Sequence, residues 1–460
     1  MRRGDIEKRL DHYYHKPEFE IEANRIAASP YPKKELGELC FQITDGTHFT
    51  PAYVDAGIPF ISVKDVREFE ISFEETKFVS EEEHKTLTLR CNPQPGDILL
   101  TKVGTIGLAA VIPPTAPTFD LFVSVCLLKI DTSQALPEFL CAVFNTHIAR
   151  TQFTRHLKGI GVPDLHLENI RECQISLPPL DTQRELVAQL DAARAQRAKR
   201  LADADALLTG LDDFLLDELK LTVPQTPARL TYAVKAKNAV TRFDPSYHSP
   251  HFKSLRAVID ACGHPVLTVS QIVIAMRTGF AAGREAQADN GEQGVLQARP
   301  MNITPNGEFS LQKSKYVPAG SFSESEVLQK NELLFNNTNS TMWVGKSAVF
   351  DSEVQCVCSN HITRIQVRSE LVNSFYLAAL FNTLRAQGLF GLLATNFNNQ
   401  AGVNIETLGQ LRVPVPSLET QKRIAKEVQS RRERARILRA EAERDWDAAK
   451  AKFEAALLGQ

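Results

Sequence analysis

LPPLDTQRELVAQLDAARAQRAKRL, residues 177–201, decides how this chain is read. Pro178 and Pro179 have no backbone donor and close whatever strand precedes them. Asp181 or Thr182 can then cap a helix, because a short oxygen-bearing side chain satisfies the free amides of a first turn. No further proline occurs until Pro224. Apolar residues recur at Leu186, Leu190, Ala193, Leu201, Ala204, Leu208, Leu211 and Leu215. The gaps are threes and fours, the period of a helix with a coiled-coil seam, interrupted only at Arg197. A helix of roughly 38 residues would be about 57 Å long, too long for the core of one compact domain, so the reading requires a partner helix.

The same device closes the chain. Residues 415–429, VPSLETQKRIAKEVQ, repeat Pro178, Leu180, Asp181, Thr182 and Gln183 as Pro416, Leu418, Glu419, Thr420 and Gln421. Ile424, Val428, Ala435, Leu438, Ala442, Ala449 and Phe453 carry the seam on, with Arg431 and Asp445 as interruptions. A motif that occurs twice prompts a search for a repeat of the whole chain. RLDHYYHKPEF at 9–19 and RFDPSYHSPHF at 242–252 share Arg, Asp, Tyr, His, Pro and Phe at one offset. Residues 34–43 correspond to 266–274, 59–66 to 295–303, Lys77-Phe78-Val79 to Lys315-Tyr316-Val317, and 96–112 to 331–350. Residues 124–130 correspond to 359–365, and Phe144-Asn145-Thr146 to Phe381-Asn382-Thr383.

Short strands stand before and after short helices without regular alternation, which favours α+β. The expected architecture is a tandem repeat of two globular domains, 1–178 and 238–416. A long helix follows each, 179–221 and 417–460, with a linker at 222–237. The two helices pair as an antiparallel coiled coil. Two similar surfaces about a pseudo-twofold axis suit a ligand of the same symmetry, such as duplex DNA with two half-sites.

The 460 residues carry 43% hydrophobic and 23% charged residues, ordinary for a soluble globular protein. The first twenty residues lack the apolar stretch of a signal peptide, and no apolar run approaches a membrane span, so a cytoplasmic location is expected. Eight scattered cysteines fit a reducing compartment. Cys356 and Cys358 read as core-facing thiols on a strand, without companions for a metal. The net charge of −2 gives no basic surplus of the kind most DNA-binding domains carry.

These residues give the chain its resemblance to a known family. ITDGTHFTP at 43–51, GDILLTKVGTIG at 96–107, and the paired helix openings LPPLDTQRELV and VPSLETQKRIA resemble the specificity subunit of type I restriction-modification systems. The likeness extends over essentially the whole chain. The second half departs at Asn331-Glu332, where Gly-Asp is expected, and has no DGTH. The resemblance implies two target recognition domains, each reading a few base pairs of double-stranded DNA, with the helices fixing the distance between half-sites. It implies two methyltransferase subunits docked on the helices, adenine methylation from S-adenosylmethionine, and restriction subunits that cleave with ATP and Mg. The chain itself would bind no cofactor and perform no chemistry.

A search for catalytic motifs agrees. There is no phosphate loop and no histidine pair with metal-ligand spacing. Asp244-Pro245-Ser246-Tyr247 resembles an amino-methyltransferase motif, but its repeat partner lacks the proline and no glycine-rich methyl-donor loop accompanies it, so a turn packing an aromatic ring is the better reading. Asp164 and Glu168 lack the lysine that a restriction nuclease would place beside such carboxylates, and read as a turn and a helix start.

Base edges are read by Arg, Lys, Asn and Gln, and phosphates are held by Lys, Arg, Ser, Thr and amides. The candidates in the first domain are Thr44, Thr47 and His48, then Thr101, Lys102 and Thr105, then a basic flank of Arg150, Arg155 and Lys158. In the second they are Arg277, Arg299, Asn336, Asn337 and Asn339, with an amide-rich loop of Asn396, Asn398, Asn399 and Gln400. Arg194, Arg200, Arg432 and Arg434 read as solvated helix faces. The leucine excess at Leu207, Leu211, Phe214 and Leu215 is wider than one seam needs and is assigned to partner binding. Gly210 is a place for the helix to bend. The alternative function is a coiled-coil scaffold with two protein-binding modules; a methyltransferase built on 244–247 is a third.

Overall fold

A computed structural model describes residues 12–157, 161–223, 231–235, 244–283, 294–312, 315–397 and 399–460. Of the sequence expectations, Arg9, Asp11, Arg242, Lys158, Asn398 and part of the linker lie outside them. The chain forms two compact units. Unit 1 is Met1–Lys199 with Glu441–Gln460, and unit 2 is Arg200–Ala440. Each therefore combines one globular domain with a stretch of each long helix, rather than one domain and one helix as chain order suggests.

Unit 1 is built on a four-stranded antiparallel sheet in the order Cys40–Asp45, Val125–Ile130, Ile98–Thr101, Ala109–Val111. Unit 2 repeats it as Val273–Thr278, Ile362–Val367, Leu333–Asn336, Ser347–Val349. In both sheets the edge strand carries a register shift at the same place, beside Ile130 and beside Val273. Helix Pro137–Phe144 lies on the first sheet and Ser374–Ala386 on the second, burying Phe139, Phe144, Tyr376 and Phe381. A second small sheet covers each unit, Ile58–Ile61 with Lys77–Val79 and Asp120–Leu121 in unit 1, and Gly294–Ala298 with Lys315–Pro318 and Cys356–Cys358 in unit 2.

The repeated motifs have matching physical roles. Asn145 grips Ala109, accepting from its N–H at 3.1 Å and donating to its carbonyl at 2.8 Å. Asn382 does the same to Ser347, at 3.2 and 2.7 Å. Gln183 is fully buried; its Oε1 accepts from Leu136 N–H, and its Nε2 donates to the Gln134 and Pro178 carbonyls. Gln421, equally buried, makes the equivalent bonds to Asn373, Leu371 and Pro416. The glutamine of each helix opening thus plugs the long helix into the domain before it. The departure at Asn331-Glu332 also resolves. Gly96 and Asn331 both adopt positive φ, 90° and 71°, which asparagine tolerates better than most side chains. Asp97 caps Gln94 N–H and pairs with Lys129, while Glu332 caps Gln329 N–H and pairs with Arg364.

The long helices span Leu180–Glu218 and Leu418–Leu458. The first begins one residue after Pro179, so Asp181 and Thr182 are not caps; Asp181 instead pairs with Arg184 in the first turn. The second is capped by Ser417, whose Oγ accepts from Thr420 N–H. Within unit 2 the helices run antiparallel, Asp205 facing Arg439, Gly210 facing Arg431 and Glu218 facing Arg423. Within unit 1, Leu186 and Leu190 share a core with Trp446, Phe453, Leu457 and Leu458.

The seam interruptions are contacts. Arg197 grips Glu443 with both Nε and Nη2, its guanidinium 6.0 Å from the Trp446 ring centre. Arg431 lies 4.5 Å above Phe214 and donates to the Gly210 carbonyl at 3.2 Å, so Gly210 receives the arginine. Asp445 interrupts nothing, because the seam passes through buried Trp446.

The leucine excess requires a correction. Leu215 is 1% exposed in the core of unit 2, with Leu211 and Phe214 packed against that core. The stripe meets two neighbours, but both belong to its own chain, so these three residues offer no free docking face. Leu207 stays half-buried outside that core. Arg432 is not solvated either, since burial pushes its pKa down.

A hairpin in each unit reaches from the domain to the helices. In unit 1 it pairs Val66–Arg67 with Glu70–Ile71. Its Phe69 has φ 62°, donates its N–H to the Ala109 carbonyl, and packs edge-on against Trp446, with the Arg194 guanidinium 5.2 Å from its ring centre. In unit 2 the bridge Ile303–Phe309 closes the same hairpin around Gly307 at φ 76°, where a side chain would strike Asn382 and Arg432.

Candidate nucleic-acid interface

The loop after the first strand of each sheet turns under a close backbone approach. A side-chain carbon on Gly46 would lie 1.9 Å from the Leu121 carbonyl oxygen, and one on Gly279 would lie 2.1 Å from that of Cys358. Thr47 N–H donates to the Leu121 carbonyl, and Phe280 N–H to that of Cys358. Thr278-Gly279-Phe280 therefore occupies in unit 2 the place of Asp45-Gly46-Thr47, although the DGTH letters are missing.

In unit 1 this loop is organised by charge. Asp45 is buried; Arg90 Nη2 donates to it at 2.6 Å, the His48 ring nitrogen lies at 3.2 Å, and Lys102 Nζ lies 3.6 Å from its other oxygen. Burial raises the carboxyl, but the Arg90 and His48 contacts and the Lys102 charge outweigh it and hold Asp45 below the usual carboxylate range. Lys102 also pairs with Asp164 at 3.3 Å, and the bridge Val103–Asp164 draws the 161–164 loop alongside. Asp164 thus does have a lysine neighbour. That lysine is buried between two carboxylates, and among the described residues no group of three or more His, Cys, Asp or Glu could hold a metal ion.

In unit 2 the same place is neutral. Asn337, in the position of Lys102, donates to Thr363 Oγ1 at 3.0 Å and to the Asn360 carbonyl. Beyond it Thr338–Asn339, Gln400–Gly402 and Thr395–Phe397 form a three-stranded antiparallel ribbon.

Several candidates turn inward. Thr101 and Asn336 are fully buried; Thr101 Oγ1 accepts from Leu108 N–H, and Asn336 donates to the Trp343 carbonyl. Lys102 and Asn337 are 4% and 6% exposed, so these four hold the loops and cannot project into a groove. Thr47 is buried and brackets Phe49. Arg155 donates to the Tyr14 carbonyl and stacks on the Tyr14 ring at 4.2 Å, fastening the N-terminal turn. Thr44 and Arg299 are half-buried, and burial pushes the Arg299 pKa down. His48, Thr105, Arg277 and Asn399 are exposed, Asn339 half so. Sequence reasoning missed Arg90, Phe49 and Phe397. Arg90 is separated in sequence from the aspartate it holds, whereas Phe49 and Phe397 sit in polar loops where a large aromatic ring is itself the signal. Cys356 and Cys358 are buried, and burial pushes Cys356 to about 12 and Cys358 well above the ordinary thiol value. Tyr247 donates its N–H to Asp244 and packs on Phe252, the turn expected at that motif.

A curated relative, the MjaX specificity subunit of a type I restriction enzyme from Methanocaldococcus jannaschii, is 27% identical over 96 residues; the match takes in 21% of this chain and 23% of that relative. A chain from a structure described as the basis of complex assembly and conformational transition of the type I R-M system superposes with a TM-score of 0.54 at 16% identity, covering 93% of this chain and 97% of that one. The HsdS subunit of Thermoanaerobacter tengcongensis aligns over 93% of this chain and 95% of its own, with 16% identity and a TM-score of 0.41. The sequence matches the type I restriction modification DNA specificity domain over residues 29–200 and again over 298–436, once in each half of the repeat. With more than half its length so matched, and with the two halves sharing sheet order, glutamine plug and glycine turn, the chain belongs to the family of type I restriction-modification DNA specificity proteins.

Proposed function

We propose that this chain is the DNA-reading subunit of a type I restriction-modification complex and that each unit reads one half of a split target. The observation that carries the reading is the duplication: two domains of a DNA specificity family, alike in scaffold and unlike in their loops. Unit 1 presents a charge-ordered loop and unit 2 an amide-rich ribbon, which suits two half-sites of different sequence. Partner methyltransferase subunits supply S-adenosylmethionine chemistry on adenine, and restriction subunits supply ATP- and Mg-dependent cleavage. The chain's own part is to bind and orient double-stranded DNA, with the long helices as the element whose length the gap between half-sites follows. A cytoplasmic location fits this role, and no helix among the described residues is long and apolar enough to cross a membrane.

The test is methylome sequencing of a host expressing this chain with its methyltransferase partner. Two short motifs around a fixed unspecified gap are expected. A continuous motif, or no methylation with a partner known to be active, would refute the reading.

A further inference from the structure

The register of the unit 2 ribbon sorts its side chains into two faces. Ala401 pairs with both Asn339 and Asn396 and is fully buried, so that face packs on the core at its centre, with Asn339 half-buried and Asn396 exposed on the edge strand. Thr338 and Thr395 pair with Gly402, and Phe397 pairs with Gln400, so these side chains share the other face, because paired residues across strands point the same way. Thr395, Phe397 and Gln400 are all exposed, and Phe397 is 50% exposed. The ring is not loose. A side-chain carbon on Gly402 would lie 2.9 Å from Phe397 Cε1, so the missing side chain is what lets the ring lie across the ribbon. An aromatic ring held in place, yet half in water and flanked by a carboxamide and a hydroxyl, is arranged for an external ligand. The major groove of B-DNA admits a two-stranded antiparallel ribbon, the size of the hairpin that Thr395–Phe397 and Gln400–Gly402 form at the outer side of this sheet. There a glutamine carboxamide matches the N6 and N7 edge of adenine, and a phenylalanine meets the thymine methyl.

Resting on the function proposed above, we infer that Gln400 and Phe397 are the base-contacting pair of unit 2. Gln400 reads an adenine, and Phe397 contacts a neighbouring thymine methyl or base face. Asn396 lies on the opposite face and does not share in this contact. The half-site read by unit 2 therefore contains an A·T pair assigned to Gln400.

The experiment measures binding of the full chain, assembled with its methyltransferase subunits, to duplexes carrying the wild-type methylation motif and each single-base substitution of it. Gln400→Ala and Phe397→Ala should each lose discrimination at one position or two adjacent positions of one half-site, by about tenfold or more. Discrimination in the other half-site should stay as in wild type, which also shows that the variants fold. Asn396→Ala should leave the profile unchanged. If wild type shows a split motif and both variants keep full discrimination throughout, the assignment is overturned while the function stands. An equal loss in both half-sites also overturns it. If wild type shows no split motif, the proposed function falls and takes the assignment with it.

Discussion

Replacing Gln183 by leucine keeps the bulk of the side chain and strands the Leu136 N–H and the Gln134 and Pro178 carbonyls. A buried polar group without a partner costs about 1–3 kcal/mol, so a loss of about 3 kcal/mol is expected. The two tryptophans report separately, Trp446 from unit 1 and Trp343 from unit 2. Gln183→Leu should move the denaturation midpoint seen at Trp446 and Gln421→Leu the one seen at Trp343; an unchanged midpoint would refute the plug. Asp45 gives a prediction with a sign. Its folded pKa lies below the ordinary carboxylate value of about 3.9. Its ionised form therefore stabilises unit 1 above that value, and the contribution disappears as pH falls through the lower, folded pKa. The neutral Asn337–Thr363 contact has no such dependence. Hydrogen exchange below pH 4 should thus quicken in residues 45–50 before residues 278–283, and equal quickening would count against the charge cluster as organiser.

Among the elements, the glycine turns and the helix seams make the strongest demands. Gly46→Ala and Gly279→Ala each place a carbon inside a carbonyl oxygen's contact distance and should displace the loop, with loss of DNA binding measured on the assembled complex. Trp446→Ala should cost about 3–5 kcal/mol, as large core truncations do. Arg197→Ala, whose partner Glu443 is exposed, should cost no more than about 1 kcal/mol. Local motifs made much of this legible in sequence: the proline stops, the Phe-Asn-Thr pair and the helix-opening glutamine recur because each repeats one hydrogen-bonding task. The seam was legible except at Asp445, where steps of three and four admit either that residue or Trp446, and only the space available for an indole decides. The inward turn of Lys102 and Asn337 was not legible. It depends on Asp45 and Thr363, on other strands, and a polar residue in a polar loop carries no mark of which way it faces.

At the scale of the whole chain, the duplication predicts separable specificities. Exchanging residues 12–176 for the matching domain of another family member should alter one half of the methylated motif and leave the other intact, as read by methylome sequencing; change in both halves would refute independent reading. The glutamine plugs bear on why such an exchange can work. Every bond that Gln183 and Gln421 make ends on main-chain atoms of the preceding domain. Main-chain amides and carbonyls are the same in every protein, so the glutamine's own bonds do not depend on which side chains that loop carries. A gene fragment delivered by recombination keeps this fitting if it keeps that loop's backbone path, and seats fully if it also brings an apolar face that fits the helix residues in the shared core. On the proposed function, exchange of a whole domain that keeps this fitting would change one half of the target and leave the receiving helix unaltered.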